Sequence, residues 1–468
     1  MIPNYERYII SYATRSPVSA FRPDTVRVQN RFQEKFMEET DDSEFISTDF
    51  FTEGTSAPAV QPDSLSAMAE QLGNSFSFKQ IGSMSRYIEP VSGENSIDML
   101  VELFQSQPEL TAVPVEEYDR VIGVIDRKTV AAATNTAWKR FTAKKIGDYV
   151  QRVSAVLYAR DFIEKSLQKV SEINRKDGIL YFPVFNNRSF FGIVSLDDFL
   201  SRIAEIREQD LRKAFVIQQR LFPDAETLAQ LPFRVQVWNR MANALGGDLA
   251  QVIPLSAGSY LVCCFDVSGK NVAASLLTIA AGSFFNVLKY VPSCTQNPLK
   301  LVSLLDEYLE YAVPVGSFIT AAFCYVDTER QLIQIYNCGH TAVYVFFRDE
   351  AVKNRVNIAA VNPALPPLGM GAVKSALNGY AADPAGNVKP YTQLPVKAGM
   401  HVDLYSDGLS DMQGDDGVRF DDDRTRRFFM ELYCKKDADV SGAVEAVVDG
   451  WIHTAMLPDD ITVVDIRL

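Results

Sequence analysis

Aspartates stand beside apolar segments in four places in the second half of the sequence. They belong to the motifs Gly246-Gly247-Asp248, Asp266-Val267-Ser268-Gly269, Ser406-Asp407-Gly408 and Asp459-Asp460-Ile461-Thr462. The second and third motifs directly follow an apolar predicted strand, and the fourth directly precedes the closing strand. Carboxylates grouped at strand ends form an oxygen-only site, which hard cations such as Mg²⁺ and Mn²⁺ prefer. The motifs therefore predict a centre for divalent cations.

Each motif taken alone has a simpler interpretation. Asp-Gly is a common hairpin turn, and an aspartate before a strand or a helix is often a cap. The joint occurrence of the four motifs in one chain favours the metal centre over four unrelated turns.

The aspartates lie among predicted strands that cluster in pairs and are separated by a few long helices. The predicted strands are Phe233–Trp238, Tyr260–Phe265, Ile319–Val326, Leu332–Tyr336, Ala342–Phe347, Met400–Tyr405 and Val463–Ile466, and the predicted helices are Asn271–Tyr290, Leu299–Tyr311 and Val440–His453. This order favours an α+β sandwich over alternating β-α-β units.

These motifs resemble those of the metal-dependent protein phosphatase (PPM) family, in the bacterial branch typified by the sporulation stage II protein E. The resemblance covers the C-terminal half of the chain and keeps the family's order of elements. It includes Ile217–Pro223, Asn337-Cys338-Gly339-His340 and Leu365–Gly369. It implies an α-β-β-α sandwich with protein-serine/threonine phosphatase activity and two Mn²⁺ or Mg²⁺ ions.

The resemblance implies a role for each aspartate motif. Asp266 aligns with the aspartate that bridges both metals, and the carbonyl of Val267 would supply a backbone oxygen. Asp407 and Asp459 align with aspartates that help to complete the shell of a metal. Asp248 aligns with the acid that meets the second metal, partly through water. In the family, the two ions activate a shared water for in-line attack on phosphorus.

Three positions leave alternatives open. Asp460 is an alternative ligand to Asp459. Leu249-Ala250-Gln251 replaces an aromatic pair and an acid that many relatives carry, so local contacts with substrate or metal are expected to differ. His340 resembles the family's glycine-histidine element, although a single histidine beside a strand is more often structural.

A second pattern lies between Ile81 and Ile203, where two segments share one order of predicted elements. Each segment has a helix, two short β-branched runs, a turn and another helix. The first copy comprises Ser96–Phe104, Leu110–Pro114, Arg120–Ile125 and a helix from Arg127, and the second comprises Phe162–Ile173, Gly178–Phe185, Ser189–Val194 and a helix from Leu196.

The repeat resembles a tandem pair of cystathionine β-synthase (CBS) domains, a module that commonly binds adenine nucleotides between its two copies. Ser195 and Asp198 match the family's hydroxyl and aspartate that meet phosphate and ribose, so the resemblance makes them candidate nucleotide ligands. The first copy departs, because Asp126 and Thr129 stand at the equivalent positions. Ser195 with Asp198 also matches a plain helix N-cap with an acid in the first turn.

One long amphipathic helix is predicted between Asp197 and Phe222, where the sequence has neither glycine nor proline. A helix in this position can carry a homodimer contact or act as a simple spacer. The predicted organisation is an N-terminal segment with an acidic linker (1–80), an α/β tandem CBS-like module (81–203), the linker helix (204–223) and the phosphatase-like domain (224–468).

Composition restricts the partners and the compartment. The formal charge of −13, from 59 acidic and 46 basic residues, disfavours nucleic acid. The six cysteines form no C-x-x-C pair and predict reduced core residues of a cytoplasmic protein. The N-terminal residues do not match a signal peptide, and the apolar stretch Val272–Leu288 is interrupted by polar residues, so neither secretion nor membrane insertion is expected.

The expected function is metal-dependent hydrolysis of phosphoserine or phosphothreonine in a protein, regulated through the CBS-like module. The resemblance points to a small regulator of a sigma factor, an anti-sigma factor antagonist, as the substrate. The alternative is a catalytically weak scaffold that senses a nucleotide and binds a partner through a phosphatase-like domain. Retention of all four aspartate positions favours the enzyme. A nucleotide cyclase is disfavoured, because no basic phosphate-gripping motif is evident.

Overall fold

A computed structural model of the chain describes residues 75–134, 145–152, 156–256, 258–270, 272–288, 297–314, 316–349, 352, 355–381, 389–435, 438–452 and 457–468. Most of the predicted N-terminal segment, and the last residue of the helix predicted to end at His453, lie outside this range. The chain forms two compact units, with a boundary between Asp210 and Leu211. No helix among the described residues combines the length and the apolar character of a bilayer span.

The first unit contains the repeat that the sequence predicts. Each copy has a short strand, a helix, an antiparallel hairpin and a second helix, and its short strand pairs in parallel with the first hairpin strand. The first copy consists of β1 (Val91–Ser92), α1 (Ile97–Ser106), β2 (Ala112–Glu117), β3 (Arg120–Asp126) and α2 (Arg127–Thr134), with β4 (Gln151–Arg152) added beside β3. The second consists of β5 (Leu157–Tyr158), α3 (Ile163–Asp177), β6 (Tyr181–Asn186), β7 (Ser189–Ser195) and α4 (Leu196–Gln219).

Local sequence accounts for the ends and the buried face of these helices. Ser96 caps α1 by accepting a hydrogen bond from the backbone N–H of Asp98, and Gly178 ends α3 in the left-handed conformation. The side chains of Ile97, Leu100 and Phe104, spaced at helical intervals, bury one face of α1. Helix α4 runs unbroken for 24 residues, as predicted, and the boundary between the units falls within it. A dimer contact through α4 stays a prediction.

The second unit contains two five-stranded antiparallel sheets, in the orders β15-β12-β11-β10-β9 and β14-β13-β16-β17-β8. Their strands are β8 (Arg234–Arg240), β9 (Leu249–Ser256), β10 (Ser259–Val267), β11 (Ile319–Asp327), β12 (Leu332–Cys338), β13 (Val343–Arg348), β14 (Val356–Val361), β15 (Thr392–Pro395), β16 (His401–Tyr405) and β17 (Ile461–Arg467). The helices are α5 (Ala225–Ala229), α6 (Val272–Leu288), α7 (Pro298–Ala312), α8 (Val373–Ala381), α9 (Asp407–Asp411), α10 (Asp421–Cys434) and α11 (Val440–Trp451).

Two neighbouring cysteines of β10 show how the layers are arranged. Successive side chains of a strand point to opposite faces of the sheet. Cys263 accordingly packs with the buried residues of α6 and α7, whereas Cys264 packs between the sheets with Val402 and Leu404. Helices α10 and α11 cover the outer face of the second sheet. The unit is therefore an α-β-β-α sandwich, which confirms the predicted fold class.

The sequence patterns missed three strands and four helices of the second unit, namely β9, β14, β15, α5, α8, α9 and α10. Strand β9 contains Pro254, which argues against a central strand because proline cannot donate to the ladder. The structure places β9 at the edge of its sheet, where a proline is tolerated.

A second group of buried carboxylates lies at the end of β16 and β17 that is distant from the aspartate motifs. Asp403 and Asp465 are directly opposite each other on these strands and are 1% and 0% exposed. Arg467 Nε donates to Asp465 Oδ1 at 2.7 Å, and His401 Nδ1 lies 3.5 Å from Asp465 Oδ2. Burial, followed by the charge of Asp465, raises the pKa of Asp403 well above its usual range. The uncharged form of Asp403 is therefore favoured by its surroundings, whereas Asp465 has a cationic partner in Arg467.

This difference predicts that the same substitution, aspartate to asparagine, affects the free energy of unfolding very differently at the two positions. Asp465→Asn removes the charged partner of Arg467, whose side chain is only 11% exposed, and should lower the free energy of unfolding by roughly 3 kcal/mol. Asp403→Asn replaces a carboxyl group whose charged form is disfavoured by burial with an uncharged amide of the same shape, and should change the free energy of unfolding by less than about 1 kcal/mol. Urea denaturation followed by tryptophan fluorescence measures both. Equal losses for the two variants would contradict the assignment of the charge.

Candidate metal centre

Antiparallel pairing brings the ends of four strands together at one edge of the sandwich. Asp266 is the penultimate residue of β10, and Asp248 directly precedes β9, which pairs with β10. Asp407 follows the end of β16 at the start of α9, and Asp459 lies just before β17, which pairs with β16. The structure thus brings together the four aspartates that the sequence predicts as metal ligands.

The aspartates are close enough for their charges to influence one another. Burial raises the pKa of Asp266 to about 7, and the charges of Asp407, Asp459 and Asp460 contribute. Burial and the charge of Asp459 raise the pKa of Asp407 to about 6. These shifts mark uncompensated negative charge, which a divalent cation would relieve.

Asp248 is 1% exposed and is held by hydroxyl groups from the second sheet. Ser406 Oγ donates to Asp248 Oδ2 at 2.6 Å and accepts from the backbone N–H of Thr462 at 2.8 Å. Burial, followed by the charges of Asp266 and Asp460, raises the pKa of Asp248 well above its usual range, against the hydrogen bonds from Ser406 and Thr462. Ser406 therefore links Asp248 to the strand ends that carry the other aspartates.

The adjacent residues Asp459 and Asp460 have different surroundings. Both oxygens of Asp460 accept from backbone N–H groups, with Oδ1 at 2.7 Å from Ala242 N and Oδ2 at 2.6 Å from Gly247 N. Asp459 Oδ2 lies instead 2.9 Å from the ammonium of Lys270, and Asp459 Oδ1 accepts from Asp460 N at 2.9 Å. Asp460 therefore holds the loop before β9, and Asp459 is the better candidate ligand.

Two glycines of the motifs are required by close approaches to Asp460. A Cβ on Gly246 would lie 2.6 Å from Asp460 Oδ2, and a Cβ on Gly408 would lie 2.0 Å from the carbonyl oxygen of Asp460. A side chain at either position would separate the strand ends. The glycines are therefore part of the geometry that gathers the aspartates, in addition to allowing turns.

Gln218 and Thr278 complete the support of the Gly246-Gly247-Asp248 loop. The Gln218 side chain is fully buried at the end of α4, where Nε2 donates to Gly246 O at 2.6 Å and Oε1 accepts from Gly246 N at 3.2 Å. Thr278 Oγ1 donates to Gly247 O at 2.9 Å. Sequence reasoning assigned no role to either residue. A polar Gln218 in phase with the apolar positions of its helix was the available signal.

His340 lies behind the carboxylates. Its Nδ1 is 3.0 Å from Thr320 Oγ1, and the same hydroxyl is 3.3 Å from the backbone carbonyl of Asp266. Burial lowers the pKa of His340 to about 3, so the imidazole is neutral. This arrangement fits a structural histidine that connects β11 to the loop after β12.

The donor set fits a hard divalent cation, but the candidate side chains do not converge on a common point. The candidate ligands are carboxylate oxygens, together with the carbonyl of Val267 at the end of β10. In the part of the chain that the structure describes, no three side chains of His, Cys, Asp or Glu are arranged to hold an ion as they stand. The bonds of Asp459 with Lys270 and of Asp248 with Ser406 occupy oxygens that an ion would use.

Two family models match the chain. Residues 256–468 match the model of stage II sporulation protein E, and residues 78–135 match the model of the CBS domain. The C-terminal part of the chain is therefore similar to the phosphatase domain of stage II sporulation protein E. Asp248 and Gln218 precede the matched part of this phosphatase domain, whereas Asp266, Asp407 and Asp459 lie within it.

Two solved structures to which the chain is similar are phosphatase domains. The SiaA PP2C domain of Pseudomonas aeruginosa has 18% sequence identity and a TM-score of 0.46, with 57% of this chain and 98% of that chain covered. The PP2C phosphatase domain of SpoIIE from Bacillus subtilis, solved with a fragment of its regulatory domain, has 15% identity and a TM-score of 0.38, with 51% and 64% covered. No curated protein matches the chain significantly.

The two candidate nucleotide ligands of the CBS-type repeat form a capping box at the start of α4. Ser195 Oγ accepts from the backbone N–H of Asp198 at 3.0 Å, and Asp198 Oδ2 accepts from Ser195 N at 2.8 Å. The equivalent Asp126 of the first copy accepts from Thr129 N. The cap accounts for both residues, and nucleotide binding stays a prediction. The CBS model matches the first copy, whereas these residues lie in the second.

The raised pKa values predict how the stability of the metal-free phosphatase domain depends on pH. The folded protein binds protons at Asp266 and Asp407 more tightly than the unfolded chain does. Protonation of these two carboxyl groups therefore stabilises the fold below their pKa values in the unfolded chain, and this contribution is lost as pH rises through their pKa values in the folded protein. The melting temperature in EDTA should therefore fall between about pH 4 and about pH 7, and Mn²⁺ should reverse the fall. Thermal unfolding across this range measures the effect. If the melting temperature of Asp266→Asn fell with pH as steeply as that of the wild-type protein, this prediction would be contradicted.

Proposed function

We propose that the protein hydrolyses phosphoserine or phosphothreonine in a protein substrate, with two divalent cations in its active site. The match of residues 256–468 to a phosphatase family supports protein phosphatase activity. The observation that carries the proposal is the group of buried and partly buried aspartates at one edge of the sandwich, where burial, together with the charges of neighbouring aspartates, raises the pKa of Asp266 to about 7. Mn²⁺ and Mg²⁺ are the cations that an oxygen-only set favours.

The proposed ligands are Asp248, Asp266, Asp407 and Asp459 with the carbonyl of Val267. Asp266 is proposed to contact both ions, because its charge interacts with that of Asp248 and with those at the ends of β16 and β17. When bound, the ions supply an activated water and offset charge on the phosphoryl oxygens. Ser406 and Asp460 position the ligands without belonging to the set, through the hydrogen bonds described above.

We infer that the substrate is a phosphorylated regulatory protein of the cytoplasm. The family resemblance of the motifs supports a small sigma-factor regulator, an anti-sigma factor antagonist, as the class to be tested first. The scaffold alternative is disfavoured because the four aspartate motifs are gathered at one edge with uncompensated charge, which a pure binding domain has no need to maintain.

The activity is tested by phosphate release from a phosphoserine protein with and without Mn²⁺. The purified wild-type protein should need the ion, and Asp266→Asn should lose activity by at least on the order of a hundredfold, as expected when electrostatic stabilisation of a transition state is removed. Asp403→Asn is the matched control, because it changes a buried aspartate of the same domain whose charged neighbours are Asp465 and Arg467 rather than the cluster. Metal-independent turnover, or equal loss in both variants, would contradict the proposal.

We also propose that the CBS-type unit binds an adenine nucleotide and thereby regulates the phosphatase. The match of residues 78–135 to the CBS model supports this, as does the position of Arg86. Its guanidinium is 76% exposed and lies 3.3 Å from Asp198, where a phosphate could replace the carboxylate contact.

Calorimetry with ATP and AMP tests the nucleotide site. The wild-type protein should bind at least one of them, and Asp198→Ala should abolish binding because it removes the proposed ribose acceptor. Asp126→Ala removes the equivalent helix cap of the first copy and should leave binding intact, so it controls for the loss of a cap. An absence of heat with both nucleotides, or equal losses in both variants, would contradict the site.

A further inference from the structure

Lys270 is a cation of the phosphatase domain that faces the aspartate cluster and has no role in the function proposed above. Its Nζ lies 2.9 Å from Asp459 Oδ2 and donates to the carbonyl of Pro458. Its positive charge acts on Asp266 and Asp407 as well as on Asp459. Lys270 therefore compensates part of the charge that divalent cations would compensate.

Lys270 is also the partner of Asp459 that can move away. Asp459 Oδ1 accepts from the backbone N–H of Asp460, which adjoins the start of β17. Lys270 instead has a flexible side chain that is 48% exposed. It follows Gly269, which has a φ of +106° and no neighbouring atom within 4 Å of a Cβ built on it. A cation that takes Asp459 Oδ2 would displace the ammonium rather than the backbone.

We propose that Lys270 exchanges between two anions, pairing with Asp459 when no metal is bound and with the phosphoryl group of the substrate when metal is bound. This inference rests on the proposed two-metal phosphatase. A divalent cation at Asp459 repels the ammonium, and the phosphoryl dianion is then the anion within reach of its side chain. Ammonium groups form strong, charge-assisted hydrogen bonds with phosphate oxygens.

Arg419 supplies a matched control for net charge. Its charge also acts on Asp407, but its guanidinium pairs with Asp411. Arg419→Gln removes one positive charge near the cluster without touching Asp459. Lys270→Met removes one positive charge while keeping a side chain of similar length. A diffuse electrostatic effect predicts the same result for both variants, whereas direct exchange predicts a difference.

The test measures Mn²⁺ binding and inorganic phosphate binding by calorimetry on the full chain. Lys270→Met should bind Mn²⁺ about two- to fivefold more tightly, because a partly exposed ion pair no longer competes for Asp459. The Mn²⁺-loaded variant should bind inorganic phosphate about tenfold more weakly. Arg419→Gln should change both affinities less than about twofold, because an exposed charge usually contributes little to the free energy. Lys270→Arg should restore phosphate binding.

The opposite direction of the two changes separates exchange from a merely structural role. Weaker binding of both Mn²⁺ and phosphate in Lys270→Met would show a structural ion pair and overturn the proposal. Unchanged phosphate affinity, or an equal loss in Arg419→Gln, would overturn it as well. A wild-type protein that binds no Mn²⁺ would contradict the proposed function itself. A wild-type protein that binds Mn²⁺, with Lys270→Met indistinguishable from it, would contradict the exchange alone.

Discussion

The phosphatase domain depends on holding like charges together at one edge of its two sheets. Two unit charges about 4 Å apart repel by about 4 kcal/mol near a protein surface. The strand ends nevertheless bring Asp248, Asp266 and Asp407 into electrostatic contact, and burial adds to the cost of their charged forms. A fold maintains such a group only when other interactions fix the backbone and a counter-charge is supplied.

The fixing interactions come mostly from groups outside the proposed ligand set. Asp460 binds two backbone N–H groups, Gln218 binds both backbone groups of Gly246, and Ser406 joins Asp248 to β17. Each of these contacts restrains a loop or strand end while leaving Asp266 and Asp407 free to face an ion. Lys270 supplies part of the counter-charge through Asp459. Positioning and charge compensation are thus assigned to different residues.

Strands β16 and β17 have carboxylates towards both ends, and the two groups show what distinguishes a candidate site from a structural pair. At one end, burial raises the pKa of Asp403 and Asp465 pairs with Arg467. A cationic side chain of the protein itself thus compensates charge at that end. At the other end, Asp407 and Asp459 face Asp266 with one partly exposed lysine between several negative charges. Incomplete compensation therefore marks the functional end of the sheet.

Much of this organisation was determined by local sequence. Alternating or continuous apolar runs identified β10, β11, β13, β16 and β17, and the absence of glycine and proline identified α4, because these signals act over a few neighbouring residues. Residue type also identified the aspartates as oxygen donors. The edge strands β9 and β15 escaped detection because a strand that pairs on one side alone tolerates a weaker pattern, as Pro254 shows.

Only the tertiary structure decided how neighbouring residues divide their roles. Asp459 and Asp460 are chemically identical and adjacent, so no local pattern separates them. Their roles differ because one carboxylate meets backbone N–H groups more than two hundred residues away in sequence, at Ala242 and Gly247, whereas the other meets Lys270. The same holds for Gln218, whose contact with Gly246 exists only once α4 has packed against the loop before β9. The sequence thus specified which chemistry was available, and long-range packing determined which atoms perform it, because hydrogen-bond partners so distant along the chain meet only in the folded state.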